Sequence, residues 1–140
     1  MPLDPQQTYV LLTPDGTMTQ FSGGEKFWQL PEKEQAQAST GWLVSEYLFA
    51  QDWPTWETHP DADEFVYLLS GEATLHLEQR EGVCIIALSG AGAVIVPRGV
   101  WHTAKISVPC RMLHITRGAG TQTRQAKSVR AKPISPLQGV

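Results

Sequence analysis

Between residues 41 and 116, short apolar stretches alternate with turn-forming residues such as glycine, proline and aspartate. One stretch, ATLHLEQ, alternates strictly and places Thr74, His76 and Glu78 opposite three apolar side chains. A period of two is typical of a strand with one buried face, so the polar face, with His76, is predicted to lie at the surface. The predicted strands are TYVLLT near the N-terminus, then GWLVSEYLFA, WETH, EFVYLLS, EATLHLEQ, VCIIALS, AVIVP, WHTAKIS and CRMLHIT.

About eight short strands at this spacing predict an all-β domain, either an antiparallel sandwich or a barrel. Two of the predicted strands, EFVYLLS and VCIIALS, are apolar at odd and even positions alike. Both of their faces should therefore be covered, by the N-terminal segment or by a second copy of the chain in a homodimer.

The N-terminal segment has a different pattern. Phe27, Trp28 and Leu30 are apolar at near-helical spacing, and they follow Ser22, which is a residue type that can cap a helix. Pro31 interrupts the pattern. One short helix or helical turn is therefore predicted before Pro31.

The composition suits one folded domain, since 41% of the 140 residues are hydrophobic and 18% are charged. The net charge of −3 is too small to indicate binding to nucleic acid or to a membrane surface. The apolar runs are too short to span a bilayer, and the first residues lack the basic segment of a secretory signal. We therefore expect a cytoplasmic protein in which Cys84 and Cys110 are free.

Residues 1–117 are predicted to form this single domain, and residues 118–140 to form a tail. The tail contains four basic residues, no acidic residue and few large apolar residues. Because it can bury little apolar surface, we expect it to be flexible or draped over the barrel.

Two separate stretches carry the residues that are suited to chemistry. Glu57 and His59 lie two positions apart in WETH and should share one face of a strand, and Glu64 opens the next strand after a short turn. His102 begins a later strand and shares a face with apolar residues, which indicates that it points inward.

A buried histidine needs a polar partner, and a metal ion is one such partner. Two imidazoles with one or two carboxylates suit Fe(II), Mn(II), Zn(II) or Ni(II). In the alternative interpretation, His59 bonds a backbone carbonyl in a turn, Glu64 is a charge at a strand edge, and His102 is a hydrogen-bonded core residue. Asp61 and Asp63 are predicted to be solvated turn residues.

The segment WETHPDADEFVYLLSG resembles the first sequence motif of the cupin superfamily, and PRGVWH resembles the core of the second. The first motif runs His-x-His, three or four residues, Glu, six residues, Gly. Here Glu57 stands in place of the first histidine, and His59, Glu64 and Gly71 follow at the motif spacing. In the second motif, His102 stands at the position of the family's histidine.

The resemblance covers about residues 42–116 and implies a double-stranded β-helix, or jelly-roll, barrel with a metal ion or a ligand inside. It implies that His59, Glu64, His102 and Glu57 bind a divalent metal, which could be Fe, Mn, Zn or Ni. It also implies a dioxygenase, isomerase, decarboxylase or lyase that acts on small organic acids or diketones. Three roles stay open for Glu57: a fourth ligand, a general base, or the mark of a lost metal site.

Aromatic residues accompany the two motifs. Tyr47, Trp53 and Trp101 are predicted to line a pocket for an aromatic or otherwise apolar small molecule. His114 joins them if its side chain points inward, which the pattern leaves open. The alternatives to an enzyme are a ligand- or metal-binding sensory module without catalysis, and a structural role in an oligomer.

Overall fold

The structure is a computed structural model, and it describes residues 1–126 of the chain. This part of the chain forms nine strands and two short helices. In chain order they are β1 (Thr8–Leu12), β2 (Met18–Ser22), α1 (Glu25–Trp28), α2 (Glu32–Ala38), β3 (Trp42–Phe49), β4 (Thr55–Thr58), β5 (Glu64–Gln79), β6 (Gly82–Ser89), β7 (Gly92–Val96), β8 (His102–Thr116) and β9 (Gln122–Gln125).

All strand pairings are antiparallel, and the two longest strands, β5 and β8, are shared between two halves of the sheet. In one half, β3, the end of β8, the start of β5 and β7 are neighbours, and β1 and β2 continue the sheet beyond β3. In the other half, β6, the end of β5, the start of β8, β4 and β9 are neighbours. The predicted all-β jelly-roll barrel with a short N-terminal helical segment is confirmed.

The strand β5 passes from one half of the sheet to the other near Gly71. The register between β5 and β8 shifts repeatedly between Leu68 and Ala73. Gly71 has a φ of +88°, and a Cβ atom there would lie 2.3 Å from the carbonyl oxygen of Pro109. Because only glycine adopts this φ without strain and has no Cβ, the two strands can come into backbone contact at this corner.

The barrel interior is apolar over most of its length. Val66 and Leu68 before the corner, Leu75 after it, and Ala104 and Met112 on β8 are all fully buried. The buried positions of β5 change from even to odd numbers across the corner, because the register shift turns the strand over. Burial of the valine, leucine and methionine side chains contributes roughly 1.5–3 kcal/mol each to the free energy of unfolding.

A second apolar cluster fixes the N-terminal segment to the barrel. Tyr9 and Leu11 of β1 pack with Phe27 of α1 and Ala38 of α2. The Tyr9 ring lies 5.2 Å from that of Phe27 and 5.8 Å from that of Tyr47, measured between centroids. These contacts place both helices beside β3.

The N-terminal region contains more structure than its pattern predicts. A second helix, α2, begins directly after Pro31, which occupies the N-cap position. A proline is tolerated there because the first backbone N–H groups of a helix have no partner within it. The strand β2, which pairs along all of β1, was also not predicted.

The prediction of a surface position for His76 is wrong. Its side chain is buried, and its Nε2 atom lies 3.0 Å from the hydroxyl oxygen of Thr74. On the neighbouring strands His76 is paired with Ile85 and Thr103. A position between two flanking strands loses water even on the outward face of a sheet.

Within residues 1–126, nothing covers the outer faces of the apolar strands. Phe65 on β5, Ile85 on β6 and Ile95 on β7 expose 37%, 59% and 61% of their surface. Homodimerisation therefore stays a prediction. Cys84 and Cys110 are free, as expected.

The predicted tail is described only as far as residue 126. Within that part, Gln122–Gln125 form β9 and pair with all of β4. Residues 127–140, and with them most of the prediction of a flexible or draped tail, lie outside the described residues. Among the described residues, no helix is long and apolar enough to cross a membrane.

Candidate metal centre

Three strands bring the predicted metal ligands to one end of the barrel. Glu57 on β4 is paired directly with His102, the first residue of β8. His59 follows the end of β4, and Glu64 is the first residue of β5. His59, Glu64 and His102 are buried, whereas the side chain of Glu57 is 34% exposed and lies at the rim of the group.

The two imidazoles and the two carboxylates form one connected group. The Oε1 atom of Glu64 lies 3.1 Å from Nε2 of His102 and 3.4 Å from Nε2 of His59. The Nε2 atom of His59 is also 3.5 Å from Oε1 of Glu57. One ligand atom each from Glu57, His59 and His102 lie within 4.8 Å of one another. A single cation placed among these atoms would be within reach of two imidazoles and two carboxylates.

Hydrogen bonds on the far side of each ring select the tautomer of both histidines. The Nδ1 atom of His102 lies 3.1 Å from the carbonyl oxygen of Val100, so it must donate a proton. The Nδ1 atom of His59 lies 2.8 Å from the hydroxyl oxygen of Thr121. That hydroxyl donates its own proton to the carbonyl of Gly118, so it accepts one from His59. When the rings are neutral, both Nε2 atoms therefore carry the lone pair that a metal needs.

Three of the converging atoms contact one another and have no hydrogen-bond partner outside the cluster among the described residues. They are Nε2 of His59, Nε2 of His102 and Oε1 of Glu64, and all are buried. The other oxygen of Glu64, Oε2, accepts bonds from Thr116 at 2.6 Å and from His114 at 3.1 Å, so the carboxylate is held in place. This donor set fits a divalent cation.

The pKa values of this group reflect its electrostatic coupling. Burial by itself would raise the pKa of Glu64, but the rings of His102, His114 and His59 outweigh it and hold the pKa well below the usual range. Burial would lower the pKa of His59, but the carboxylates of Glu57 and Glu64 raise it to about 9. Without a metal, His59 is therefore protonated near neutral pH.

A cavity of about 910 Å³ leads from the cluster to the N-terminal helices. Its polar end is formed by Glu57, His59 and Glu64. Its apolar walls are formed by the barrel and by both helices. The N-terminal segment therefore contributes part of the cavity wall. Among the residues that line these walls are Phe27, Trp28, Ala38, Leu43, Tyr47, Phe49 and Trp53.

Three of the four predicted pocket residues, Tyr47, Trp53 and His114, line this cavity. Trp101 is not among the lining residues, and its ring instead lies 4.6 Å from the guanidinium carbon of Arg124. The ring of Trp101 therefore forms a cation–π contact with Arg124 of β9, in which the indole face attracts the guanidinium.

Two of the residues that hold the site in place were not predicted. Thr116, which bonds Glu64, could have been found from the period of the strand. His102, His114 and Thr116 are all even-numbered positions of β8, and all three side chains contact Glu64. Thr121 lies beyond both motifs, and no local pattern indicates that it contacts His59.

The aspartates of the motif loop, which were predicted to be solvated turn residues, bond to partners outside the cluster. Asp63 accepts a hydrogen bond of 2.8 Å from the backbone N–H of Arg98. Asp61 forms an ion pair of 2.8 Å with Arg117. Both contacts fasten the loop that carries His59 and add no ligand to the cluster.

No model of a protein family matches the sequence, and no curated protein matches it. Among solved structures, a cupin-2 domain protein from Shewanella frigidimarina is 19% identical, with a TM-score of 0.47 over 54% of this chain and 69% of that one. A cupin superfamily protein from Desulfitobacterium hafniense is 24% identical, with a TM-score of 0.46 over 54% and 65%. Peruvianin-I, a cysteine peptidase from Thevetia peruviana latex, is 15% identical, with a TM-score of 0.51 over 61% and 56%.

At these identities the likeness concerns the fold alone. The strand order described above is that of an antiparallel double-stranded β-helix, or jelly-roll, barrel.

Proposed function

We propose that this protein is a metal-dependent enzyme that binds one divalent cation through Glu57, His59, Glu64 and His102, and that acts on a small organic molecule held in the adjoining cavity. The observation that carries the proposal is the convergence of three buried ligand atoms that have no partner outside the cluster among the described residues. The set of two nitrogens and two carboxylates is suited to iron, manganese, zinc or nickel. When bound, such a cation supplies Lewis acidity.

The side chains around the site orient the ligands and exclude water. The bonds to Val100 and Thr121 orient the two imidazoles, and those from Thr116 and His114 orient Glu64. The partly exposed Glu57 joins the cluster from its rim and borders the cavity. The apolar walls exclude water from a bound molecule, which strengthens every electrostatic interaction within the site.

The proposal is tested first by metal content. Protein purified without added metal, and then titrated with Mn(II), Zn(II), Ni(II) and anaerobic Fe(II), should bind about one equivalent. His59→Ala and His102→Ala should each weaken binding by more than the about 10–100-fold typical of losing an outer hydrogen bond. His76→Ala is the matched control, because His76 is also a buried histidine but lies outside the cluster. Equal metal content in all four proteins would refute the metal site.

Turnover is tested separately with the loaded protein. Oxygen uptake and product analysis against a panel of small organic substrates distinguish a dioxygenase from an isomerase or a lyase. Binding of metal and of a small molecule without any product would instead assign the chain to the non-catalytic ligand-binding modules.

A further inference from the structure

The outward face of one half of the sheet carries an unbroken row of apolar side chains. The register places five residues side by side on the neighbouring strands β1, β3, β8, β5 and β7: Val10, Val44, Ile115, Phe65 and Ile95. The adjacent residues on β5 and β8, Val66 and His114, are buried in the barrel, so these five side chains point away from it. We call the five residues the apolar row.

Apolar side chains continue on both sides of the apolar row. The outward positions two residues further along the strands hold Leu113, Tyr67 and Ala93 on one side, and Met18, Leu12 and Trp42 on the other. Phe65 and Ile95 of the apolar row expose 37% and 61% of their surface. Single apolar residues are common on protein surfaces, but a contiguous apolar face of this kind marks an interaction site.

The charges on this face cancel. Among the described residues, the charged ones at outward positions of β1, β2, β3, β7 and the adjoining ends of β5 and β8 are Glu46 and Arg111. They bond to each other, with Nε of Arg111 2.7 Å from Oε2 of Glu46 and Nη2 3.2 Å from Oε1. A nucleic acid or an anionic membrane would therefore find no excess positive charge here. An uncharged apolar surface is the matching partner, and the same face of a second copy is one.

The face is large enough for a specific interface. Six strands lie side by side, of which β1, β2 and β7 have five residues and β3 has eight. At about 4.8 Å between strands and about 3.4 Å per residue, the face measures about 24 Å by about 20 Å. Two such faces in contact remove on the order of 1,000 Å² from water, which is the size from which a specific interface is expected.

The other half of the sheet offers no comparable face. Ile85 on β6 is 59% exposed, but its neighbours across the strands are His76 and then Thr103. β6 and β7 are both edge strands, because each pairs with β5 alone. Ile85 therefore matches Ile95 in exposure and in its place at a sheet edge, and differs from it in having polar neighbours.

We propose that this protein forms a homodimer in which the apolar row and its flanking residues pack against the same face of a second copy. Such an interface has twofold symmetry, because one surface contributes to both sides of it. The two sheets then form a sandwich about 10 Å thick, with their strands within about 30° of each other. The proposal goes beyond the proposed function and does not depend on it, because the metal ligands lie on the inner side of these strands.

The test is sedimentation equilibrium of the full chain at several concentrations between about 1 and about 200 μM. We expect a mass twice the 15.5 kDa of one chain. Ile95→Glu and Phe65→Glu each bring two unpaired carboxylates into the apolar contact, one from each copy. Each should raise the dissociation constant of the dimer about 100-fold or more.

Ile85→Glu is the matched control, because it adds the same charge to an equally exposed residue of the other edge strand. It should leave the dissociation constant close to that of the unchanged protein. All three substitutions lie at exposed side chains, so each variant should keep the circular dichroism spectrum of the unchanged protein. Each should also keep its zinc content.

The outcomes decide the proposal without reference to the metal site. A monomer at the highest concentration, or an assembly larger than a dimer, overturns it. A dimer that neither Ile95→Glu nor Phe65→Glu weakens, or that Ile85→Glu weakens to the same extent, also overturns it. Zinc content is measured on the same samples, so loss of the dimer proposal leaves the proposed function standing, and absence of zinc leaves the dimer standing.

Discussion

At the scale of single residues, a proton and a metal ion compete for the Nε2 atom of His59. Its pKa is raised to about 9, so below that pH the ring of the metal-free protein carries a second proton between Glu57 and Glu64. A cation must displace this proton before it can bind Nε2. Metal binding should therefore release close to one proton at neutral pH.

The consequence is a defined pH dependence. We expect zinc affinity to rise about tenfold per pH unit between pH 6.0 and 8.0, because one proton is lost for each cation bound. Competition with a chromogenic chelator at several pH values measures this slope. An affinity that does not change over the range would show that His59 is neutral before the metal arrives, contrary to the raised pKa.

At the scale of secondary structure elements, β9 and the turn before it support the metal site from outside both motifs. Thr121 accepts the Nδ1–H of His59, while Arg124 of β9 stacks on Trp56 and Trp101 and pairs with Glu78. Thr121→Val keeps the volume and removes the acceptor. We expect it to weaken zinc binding about 10–100-fold.

Thr121→Ser is the matched variant, because it keeps the hydroxyl. Its zinc affinity should stay close to that of the unchanged protein, with both variants folded by circular dichroism. If Thr121→Val and Thr121→Ser weaken zinc binding equally, the hydroxyl of Thr121 does not orient His59, and the side chain contributes only by packing.

A second prediction for the elements concerns the corner at Gly71. Gly71→Ala forces a Cβ atom against the backbone of Pro109, whereas Gly90→Ala meets nothing within 4 Å at a similarly positive φ. Both variants carry backbone strain, but only the first carries a clash. Urea denaturation should show Gly71→Ala to be less stable than Gly90→Ala by about 1–3 kcal/mol. Equal stabilities would mean that β5 can move away from β8 at little cost.

The elements also show what the sequence could predict. The period of a strand predicts that Glu57 and His59 share a face, and the two side chains do lie together although β4 ends at Thr58. Glu64 and His102 follow from motif spacing. In contrast, β9 consists of four exposed residues without an apolar alternation, and only its pairing with β4 makes it a strand. Helix α2 buries one residue, Ala38, so its amphipathic signal is weak. Such elements depend on their neighbours and leave little trace in local sequence.

At the scale of the whole molecule, metal binding should act as a stabilising ligand. A cation at about 100 times its dissociation constant adds about 2.7 kcal/mol to the free energy of unfolding, which corresponds to a rise in Tm of about 5–10 °C for a chain of this size. Differential scanning calorimetry with and without a chelator measures the shift. His102→Ala should abolish it, and an equal shift in that variant would place the metal elsewhere.

The metal-free protein should also lose stability as pH rises. The pKa of His59 is higher in the folded chain than its value of 6.5 in a free side chain, so its contribution is complete below pH 6.5 and is lost as pH rises through about 9. The Tm of the metal-free protein should fall over this interval, and that of Glu57→Gln should fall less, because one of the two carboxylates that raise the pKa is gone. A constant Tm for both would contradict the coupling of His59 to these carboxylates.

The position of Trp53 allows metal binding to be followed by the fluorescence of its indole. Its buried indole lies 6.1 Å from the ring of His102, measured between centroids, and 5.8 Å from that of His114. Cations with a partly filled d shell, such as Fe(II) and Ni(II), quench the emission of an indole at such short range, whereas Zn(II) has a filled shell and does not. A fluorescence titration can therefore identify the class of metal that occupies the barrel without any label, and Trp53→Phe provides the blank.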